Sequence, residues 1–281
     1  MNYKNKKIVF ISSYPKSGNT WLRSIIGAIY NKNNGIFSSE DFKKTPDFSQ
    51  IKNFKNFKNI KYQKNGNINF NWLSKKWVPL QKIFNEESQN IIYFKTHSLQ
   101  KIQDVEFTSK DTCLGFIYIY RDPRDVAISY MHHAKGDLDT AIKVMLYKKD
   151  NYTDFQSTNE WVSTWKNHYS SWKSFGAVPS LFIKYERMIE QPLLILNQIL
   201  EYINSLNVDK VTLTKKKKEN IIKSTSFKSL LENEIKTEGK KETYFYRKGT
   251  AAQWKDVLSQ NQLNLIETEL KNQMIQLDYL N

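Results

Sequence analysis

Four short apolar runs divide the chain, and polar or charged residues follow each of them. They span residues 8–11, 91–94, 114–120 and 178–183. Each run is long enough for one buried strand and too short to cross a membrane. The third run is nearly continuous in apolar residues, as expected for a strand that is covered on both faces. The pattern predicts four strands of a parallel sheet.

Helical patterns lie between these runs. Apolar positions at helical spacing begin at Trp21, and further helices are predicted over 137–147, over 190–203 and after residue 259. Strands that alternate with helices are typical of an α/β fold. We therefore predict one domain over residues 1–281, with a central parallel β-sheet flanked by helices.

Two further stretches have a less regular pattern. Ser157-x-x-Glu160 reads as a capping box, which predicts the start of a helix with an aromatic stripe over 161–172. Residues 36–90 are rich in Lys, Asn and aromatic residues. They predict short helical turns packed over the sheet, and a basic, aromatic cover over a pocket is the alternative.

The charge balance favours anionic partners. The chain has 43 Lys and Arg against 28 Asp and Glu, so its formal net charge is +15. Nucleotides, nucleic acids, anionic glycans and lipids all suit such a chain. The single cysteine, Cys113, excludes an internal disulfide framework and a Cys-based metal site. We find no signal peptide and no apolar span of 18 residues, which predicts a cytoplasmic protein without a membrane span.

The first strand runs into a loop that is suited to binding a phosphate group. From Tyr14 onward the residues read YPKSGNTW, and the first helix begins at their end. Free backbone N–H groups and the positive end of the helix dipole attract an anion at such a turn. Lys16 adds a full charge, and Ser17 and Thr20 add hydroxyl donors. An ordinary P-loop carries its Lys after the second Gly. Because Lys16 precedes the only Gly here, a kinase or GTPase is disfavoured.

Charged residues also follow the second and third strands. Ligand-binding groups in open parallel sheets lie beyond the carboxyl ends of the strands. The tripeptide KTH at 95–97 and Arg121 stand at such positions. After Arg121, Asp122 suits an N-cap and Pro123 the first helical position, so a helix is predicted to start there.

Together these segments resemble the sulfotransferases of the cytosolic type that use 3′-phosphoadenosine 5′-phosphosulfate (PAPS), and we expect a bacterial member. Four signatures stand in the family's order: YPKSGNTW from Tyr14, KTH at 95–97, RDPRDVAIS from Arg121 and RKGTAAQWK from Arg247. The resemblance implies an α/β fold with a P-loop-like 5′-phosphosulfate loop.

The resemblance also implies roles for individual residues. Lys16 would stabilise the leaving oxygen, His97 would act as the general base, and Lys95 would assist at the sulfuryl oxygens. These three are the expected catalytic residues. The expected nucleotide-binding residues are Lys16, Ser17, Gly18, Asn19, Thr20, Trp21, Arg121, Ser129, Tyr185, Thr225, Phe227, Arg247, Lys248 and Gly249. No metal is expected, because Lys and Arg would neutralise the charges of the nucleotide.

The implied reaction is sulfuryl transfer from PAPS, with 3′-phosphoadenosine 5′-phosphate (PAP) as product. The acceptor would be a hydroxyl or amine of a small molecule or glycan that the sequence does not identify. No nucleic acid is expected as a partner, and the oligomeric state stays open, a homodimer included. The alternatives are a P-loop-type nucleotide kinase and a non-enzymatic basic protein that binds nucleic acid. Asn19, where many relatives carry Thr, and Ala252, in place of a second Gly, depart from the family pattern.

Overall fold

A computed structural model describes residues 6–55, 57–62, 68–102, 104–148, 152–155, 158–208, 210–238, 246 and 249–281. The strands are β1 Ile8–Ser12, β2 Ile92–Thr96, β3 Lys101–Ile102, β4 Val105–Glu106, β5 Cys113–Tyr120, β6 Tyr152–Phe155, β7 Thr158–Trp161 and β8 Ser180–Lys184. The helices are α1 Asn19–Ile29, α2 Phe70–Glu87, α3 Pro123–Ala134, α4 Leu138–Tyr147, α5 Trp165–Lys173, α6 Tyr185–Glu190, α7 Pro192–Ser205, α8 Lys215–Ser224, α9 Phe227–Glu238, α10 Trp254–Val257 and α11 Gln260–Gln276. Two short 3-10 helices cover Ser39–Lys44 and Ile51–Phe54.

The central sheet has four parallel strands in the order β2-β1-β5-β8. All four predicted strands are therefore confirmed, and so is the α/β fold with a parallel sheet. Because the strands are parallel, their carboxyl ends meet at one edge of the sheet. The chain segments that follow β1, β2 and β5 carry three of the four signatures, and this edge brings them together.

Both faces of the sheet are buried, which explains why its strands read as continuous apolar runs. Along β1, Phe10 points to one face, where it joins a cluster with Phe116 and Trp172. Val9 and Ile11 point to the opposite face and pack with residues of α1 and α7. Helices therefore cover the sheet on both sides, and polar side chains are left to the strand ends.

Several local predictions are confirmed. Asp122 accepts a hydrogen bond from the backbone of Arg124 at the start of α3, where Pro123 is the first helical residue. A capping box formed by Ser259 and Gln262 starts α11. The prediction of short helical turns over 36–90 holds in part: Ser39–Lys44 and Ile51–Phe54 are short 3-10 helices, whereas Phe70–Glu87 form the long helix α2. Phe48 and Phe54 are fully buried.

The predicted capping box at Ser157 and Glu160 is wrong. Glu160 lies in the strand β7, and Ser157 is outside the described residues. The helix α5 begins later, at Trp165, and its cap is Thr164, which accepts from the backbone N–H of Asn167. Glu160 does not cap a helix because its buried carboxylate binds other groups, described below.

The predicted helix over 190–203 is confirmed as α7, which starts two residues later than expected, and a separate short helix precedes it. The short helix, α6, ends at Glu190, and α7 starts at Pro192. Proline has no N–H group and fits the first position of a helix better than its interior. The chain therefore breaks at Gln191.

Candidate active site

The loop after β1 holds its backbone in an uncommon conformation. Lys16 has a φ of 68° and Gly18 a φ of 102°, both in the left-handed region. A Cβ atom at Gly18 would lie 2.6 Å from Cδ2 of Tyr185, so only glycine fits there. The left-handed conformation costs a non-glycine residue about 1–2 kcal/mol, and such strain clusters at functional sites. The backbone of Lys16 therefore points to a functional loop.

This loop carries two kinds of hydrogen-bond donor, the first N–H groups of α1 and the Ser17 hydroxyl. Gly18 precedes α1 and offers no side-chain cap to the first N–H groups of that helix. The Ser17 hydroxyl is buried and has no hydrogen-bond partner within the described ranges. Thr20 lies half-buried in the first turn of α1. Uncapped N–H groups and a buried hydroxyl are donors that an anion can satisfy. The loop can therefore hold a phosphate or sulfate group.

Asn19 supports this loop from the side of the sheet. Its Nδ2 atom donates to the backbone oxygen of Ile11 at 3.1 Å and to the hydroxyl of Ser13 at 3.3 Å. The residue is buried. Its side chain thus ties the first turn of α1 to the end of β1.

Arg121 connects the loop to the C-terminal part of the chain. Its Nη1 atom donates to the backbone oxygen of Lys16 at 3.4 Å, and its Nη2 atom donates to that of Thr250 at 3.1 Å. Asp125 lies 3.5 Å from Nη2, and the guanidinium carbon lies 4.3 Å from the centre of the Tyr185 ring. The buried Nε atom of Arg121 has no hydrogen-bond partner in the described part of the chain. One guanidinium therefore joins three signatures that are far apart in sequence.

The last signature packs on α9 and α3. The backbone of Gly249 lies against Phe227, because a Cβ atom there would be 2.0 Å from Cγ of the ring. Trp254 donates its backbone N–H to Asp125 at 3.1 Å, and the guanidinium of Arg124 lies 3.8 Å from the centre of its ring. Arg247 and Lys248 lie outside the described residues.

Ala252, the other departure from the family pattern, has a left-handed backbone. Its φ is 60°, in the region where glycine is favoured. Alanine therefore adopts at this position a conformation that glycine would adopt without strain.

The residues expected to contact the adenine of the nucleotide lie on the side of the loop where α1 begins. Trp21 and Tyr185 meet edge to face, with ring centres 5.6 Å apart. Trp21 and Thr225 line the same small apolar pocket between α1, α7 and α8. The Thr225 hydroxyl donates to the backbone oxygen of Ile221 at 2.7 Å.

The surroundings of Lys16 lower the pKa of its ammonium group. Burial, and after it the charge of Arg121, lower the pKa of Lys16 to about 8, against the opposing effect of Glu234. On α3, burial and then the Lys16 ammonium lower the pKa of His133 to about 4. Ser129 precedes His133 by four residues and so shares its helix face. This face of α3 therefore borders the Lys16 site.

His97 is held at three points. Its backbone N–H donates to Oε1 of Glu160, and its carbonyl oxygen accepts from Nε2 of His168 at 3.0 Å. Its ring Nδ1 lies 2.7 Å from the backbone oxygen of Ser13, at the end of the neighbouring strand. A carbonyl oxygen only accepts hydrogen bonds, so Nδ1 carries the proton in the neutral ring and Nε2 carries the lone pair.

The His97 ring is neutral at physiological pH. Burial, and after it the charge of Lys95, hold the pKa of His97 well below its usual value. No hydrogen bond to Nε2 is found among the described residues. The ring is thus oriented with a basic nitrogen available to accept a proton.

Lys95 has partners that differ from the expectation. Its ammonium lies 2.6 Å from Oδ2 of Asp47 and 2.7 Å from Oε2 of Glu160, and both carboxylates are buried. The family resemblance implies that Lys95 acts at the sulfuryl oxygens. In the structure its ammonium is paired with the carboxylates of Asp47 and Glu160 instead.

Sequence reasoning missed several of these supporting residues. All three of the missed residues contact the KTH segment. Asp47 binds the side chain of Lys95, Glu160 binds the hydroxyl of Thr96, and His168 binds the backbone of His97. His168 lies inside the aromatic stripe of α5, and Tyr118 donates to its Nδ1 at 2.8 Å. A histidine within a buried aromatic stripe needs a polar partner, and that was the available signal.

The described ranges contain neither a metal-binding cluster nor a helix that could span a membrane. No group of three or more His, Cys, Asp or Glu residues there is arranged to hold a metal ion. None of the helices in those ranges combines the length and apolar character that a bilayer crossing requires.

The α/β fold places the cationic side chains of Lys16 and Arg121 and the imidazole of His97 at the carboxyl edge of the parallel sheet. A family model described as "Sulfotransferase domain" matches residues 6–278. This chain belongs to the sulfotransferase family and is an enzyme that transfers a sulfuryl group from PAPS to a hydroxyl acceptor.

Individual relatives agree with this assignment. The chain is 23% identical over 275 residues to flavonol 3-sulfotransferase of Flaveria bidentis, covering 92% of this chain and 79% of the relative. It is 25% identical over 278 residues to sulfotransferase 1A1 of Bos taurus, covering 95% and 83%. The crystal structure of mouse sulfotransferase SULT7A1 complexed with PAP has the same fold, with a TM-score of 0.63, 20% identity and coverage of 95% and 84%.

Proposed function

We propose that Lys16, Arg121 and His97 carry the reaction, with Lys16 at the leaving oxygen, Arg121 at the 3′-phosphate and His97 as the acceptor's base. The observation that carries this proposal is the guanidinium of Arg121, which contacts both the Lys16 backbone and Thr250. This contact supports a single nucleotide site formed by the loop after β1, the start of α3 and the C-terminal signature.

The described residues fit PAPS. Among the described residues, no group pairs with the buried Ser17 hydroxyl or with Arg121 Nε, and phosphate oxygens accept from both groups. When bound, PAPS supplies the sulfuryl group and is converted to PAP. Ser17, Gly18, Asn19, Thr20 and Trp21 would hold its 5′ side.

The 3′-phosphate and the adenine would be bound by residues from four further segments. The proposed set is Arg121, Ser129, Tyr185, Thr225, Phe227, Arg247, Lys248 and Gly249. Its support is the packing of Gly249 on Phe227 and of Arg121 on Tyr185.

Lys16 and His97 would divide the chemical work. Lys16 places a positive charge where negative charge develops, an effect that is often worth about 10²–10³-fold in rate. His97 accepts the acceptor's proton at Nε2, and a positioned base contributes about 10²–10⁴-fold. Both roles match the charge states at neutral pH, with Lys16 protonated and His97 neutral. Because Lys16 and Arg121 supply positive charge, we propose that the reaction needs no metal ion.

We further propose a small-molecule hydroxyl as the acceptor. Trp161 follows Glu160 directly and packs on Phe70 with ring centres 4.3 Å apart, and both rings are half-buried. This aromatic pair near the KTH segment suits an apolar or aromatic acceptor. A turnover screen with PAPS and a phenol, an aliphatic alcohol, an amine and an anionic sugar tests this class, and preference for the sugar would contradict it. We also expect the protein to act in the cytoplasm.

The catalytic assignment is tested by Lys16→Met. Loss of the charge is expected to lower kcat by about 10²-fold or more without unfolding the protein. Lys32→Met is the control, because Lys32 is an exposed lysine in the turn after α1. Near-normal turnover of the Lys16 variant in the presence of PAPS would reject the role.

The donor is tested by calorimetric titration with PAP and with ATP, each with and without Mg²⁺. PAP should bind in both conditions and more tightly than ATP. Tighter binding of ATP that requires Mg²⁺ would indicate a nucleotide kinase instead. Steeply salt-dependent binding of DNA or RNA, with no affinity for PAP, would indicate a nucleic-acid-binding protein.

A further inference from the structure

A buried group of three charges, Asp47, Lys95 and Glu160, lies beside His97. We call it the Lys95 cluster. The Lys95 ammonium bridges the two carboxylates at 2.6 and 2.7 Å. The side chains of Lys95, Asp47 and Glu160 are only 10%, 11% and 1% exposed. Burial makes the partners interdependent, because removal of one leaves an uncompensated charge.

A further cation acts on the cluster from a neighbouring element. Two carboxylates share one ammonium, which leaves one negative charge in excess when both are ionised. Burial lowers the pKa of Arg23 on α1, and the charges of Asp47 and Glu160 oppose this effect. The Nε atom of Arg23 is fixed by the backbone oxygen of Thr45 at 3.0 Å.

Charge coupling favours the ionised form of Lys95. Burial opposes its charge, but Glu160 and Asp47 together raise the pKa of Lys95 above its ordinary value. For Asp47, burial and the nearby Glu160 raise the pKa, and Lys95 counteracts them. Lys95 therefore remains a cation that faces protein carboxylates.

The cluster joins segments that are distant in sequence. Asp47 lies in a short segment that extends the sheet beside β2, where Lys95 donates its N–H to Pro46 at 2.9 Å and Phe48 donates to Lys95 at 3.0 Å. Glu160 comes from β7. Each of the two carboxylates thus anchors a separate segment to the end of β2.

Glu160 also connects the cluster to the catalytic segment. Its Oε2 binds the Lys95 ammonium, while its Oε1 accepts from the backbone N–H of His97 and from the Thr96 hydroxyl at 3.3 Å. One buried carboxylate therefore fixes the side chain before the histidine and the backbone of the histidine itself.

We propose that Glu160, Asp47 and Lys95 are positioning residues that hold His97 for its reaction, and that Lys95 acts through His97 and not at the sulfuryl group. The inference rests on the proposed role of His97 as base. Glu160 fixes the backbone of His97, and Lys95 fixes the carboxylate of Glu160. Misplacement of a reacting group by about 1 Å can cost on the order of 10²-fold in rate.

The cluster also influences the pKa of His97. Among the described residues, the charged or titratable groups that face His97 are Lys95 and Asp47 of the cluster, Glu160 at its backbone and His168 from α5. Burial lowers the pKa of His97 most, Lys95 lowers it further, and Asp47 opposes both effects. Removal of the Lys95 charge should therefore raise the pKa of His97, whereas removal of the Asp47 charge should not.

The test observes the His97 ring directly by NMR. The chain has four histidines, so the signals can be assigned with His97→Asn and single substitutions of the others. In the unsubstituted protein the ring should be neutral, with the proton on Nδ1. Lys95→Met should raise its titration midpoint by roughly one pH unit or more. Asp47→Asn should leave the midpoint unchanged or lower it.

Turnover separates positioning from direct chemistry. Lys95→Met and Glu160→Gln are each expected to lower kcat by on the order of 10²-fold, with unchanged affinity for PAP. Glu40→Gln is the control, because Glu40 is an exposed carboxylate with a surface ion pair. If Glu160→Gln does not fold, Asp47→Asn keeps the pair of Lys95 and Glu160 and still gives the NMR readout.

Two results would overturn the inference. One is a fall of kcat in Lys95→Met while the tautomer and midpoint of His97 stay unchanged, which would place Lys95 at the reacting group. The other is full activity of Glu160→Gln. A protein that transfers no sulfuryl group from PAPS would instead refute the proposed function, and the NMR titration would still decide the positions and charges around His97.

Discussion

At the scale of single residues, Lys16 and His97 have pKa values shifted in the same direction for related reasons. Burial disfavours the charged form of each, and a neighbouring cation, Arg121 for Lys16 and Lys95 for His97, lowers both values further. For His97 the shift provides a neutral base over the whole neutral range. For Lys16 it brings the loss of charge near pH 8.

These shifts predict the pH dependence of kcat/KM, which reports the free enzyme. The proposed role of Lys16 needs its protonated form, so activity should fall as pH rises through about 8, the pKa of Lys16. The proposed role of His97 needs its neutral form, so the acidic fall should come well below the usual pKa range of histidine. The profile of kcat should extend to higher pH, because the bound anionic donor favours the charged lysine.

The assignment of the alkaline fall to Lys16 can be checked by Lys16→Arg. Arginine keeps its charge to much higher pH, so the fall should disappear even if the rate is reduced. Persistence of the same fall in this variant would contradict the assignment.

At the scale of elements, the site depends on backbone conformations that particular residues permit. Gly18 and Gly249 both have left-handed φ values, and each lies against an aromatic ring, Tyr185 and Phe227 respectively. Ala252 adopts the same backbone region without being glycine. Within the C-terminal segment, position 249 requires glycine because the Phe227 ring is too close for a Cβ atom. Position 252 has the same left-handed backbone but accommodates alanine.

This difference predicts that substitutions at positions 249 and 252 have different effects on the affinity for PAP. Gly249→Ala should weaken PAP binding by about tenfold or more, since moving the segment off Phe227 by even a small distance loses a charge-assisted contact worth about 1.5–3 kcal/mol. Ala252→Gly is the matched control. Glycine removes the strain of a left-handed alanine, which stabilises the fold, but it gives the unfolded chain more conformational entropy, which destabilises the fold. The two effects are each about 1 kcal/mol and oppose one another. Calorimetry with PAP measures both, and equal affinities for the two variants would contradict the expectation.

At the scale of the whole molecule, the proposed nucleotide site joins the loop after β1 to the C-terminal signature. Arg121 in the middle contacts the loop after β1 and the segment before α10. A ligand bound there should stabilise the complete fold, because it binds the folded state and not the unfolded chain. The net charge of +15 adds a general attraction for anions.

PAP should therefore raise the melting temperature. At 100 times its Kd, a ligand adds about 2.7 kcal/mol of stability, which corresponds to a shift on the order of 5 °C for a protein of this size. Adenosine 5′-monophosphate, which lacks the 3′-phosphate, should give a much smaller shift. Arg121→Ala should reduce the difference between the two ligands. Equal shifts by both ligands in the unsubstituted protein would argue against a 3′-phosphate site.

Much of the fold was predictable because its signals are local. The four strands are continuous apolar runs, and the helix starts at Asp122 and Ser259 follow from side chains one turn away. Glu160 shows where local reasoning fails. Its spacing from Ser157 fits a capping box, yet its carboxylate is bound by Lys95, which is 65 residues away, and no local pattern encodes that pairing.

The sequence alone determined the α/β class, the family and the chemistry of the strand ends, because contiguous motifs carry all three. Only the tertiary structure decided how these groups are arranged and charged. It showed that Arg121 joins two loops, that Ser13 orients the His97 ring and that Lys95 is neutralised by Asp47 and Glu160. The physical reason is that burial and charge pairing act over a few ångströms in space, whereas the partners lie tens of residues apart along the chain.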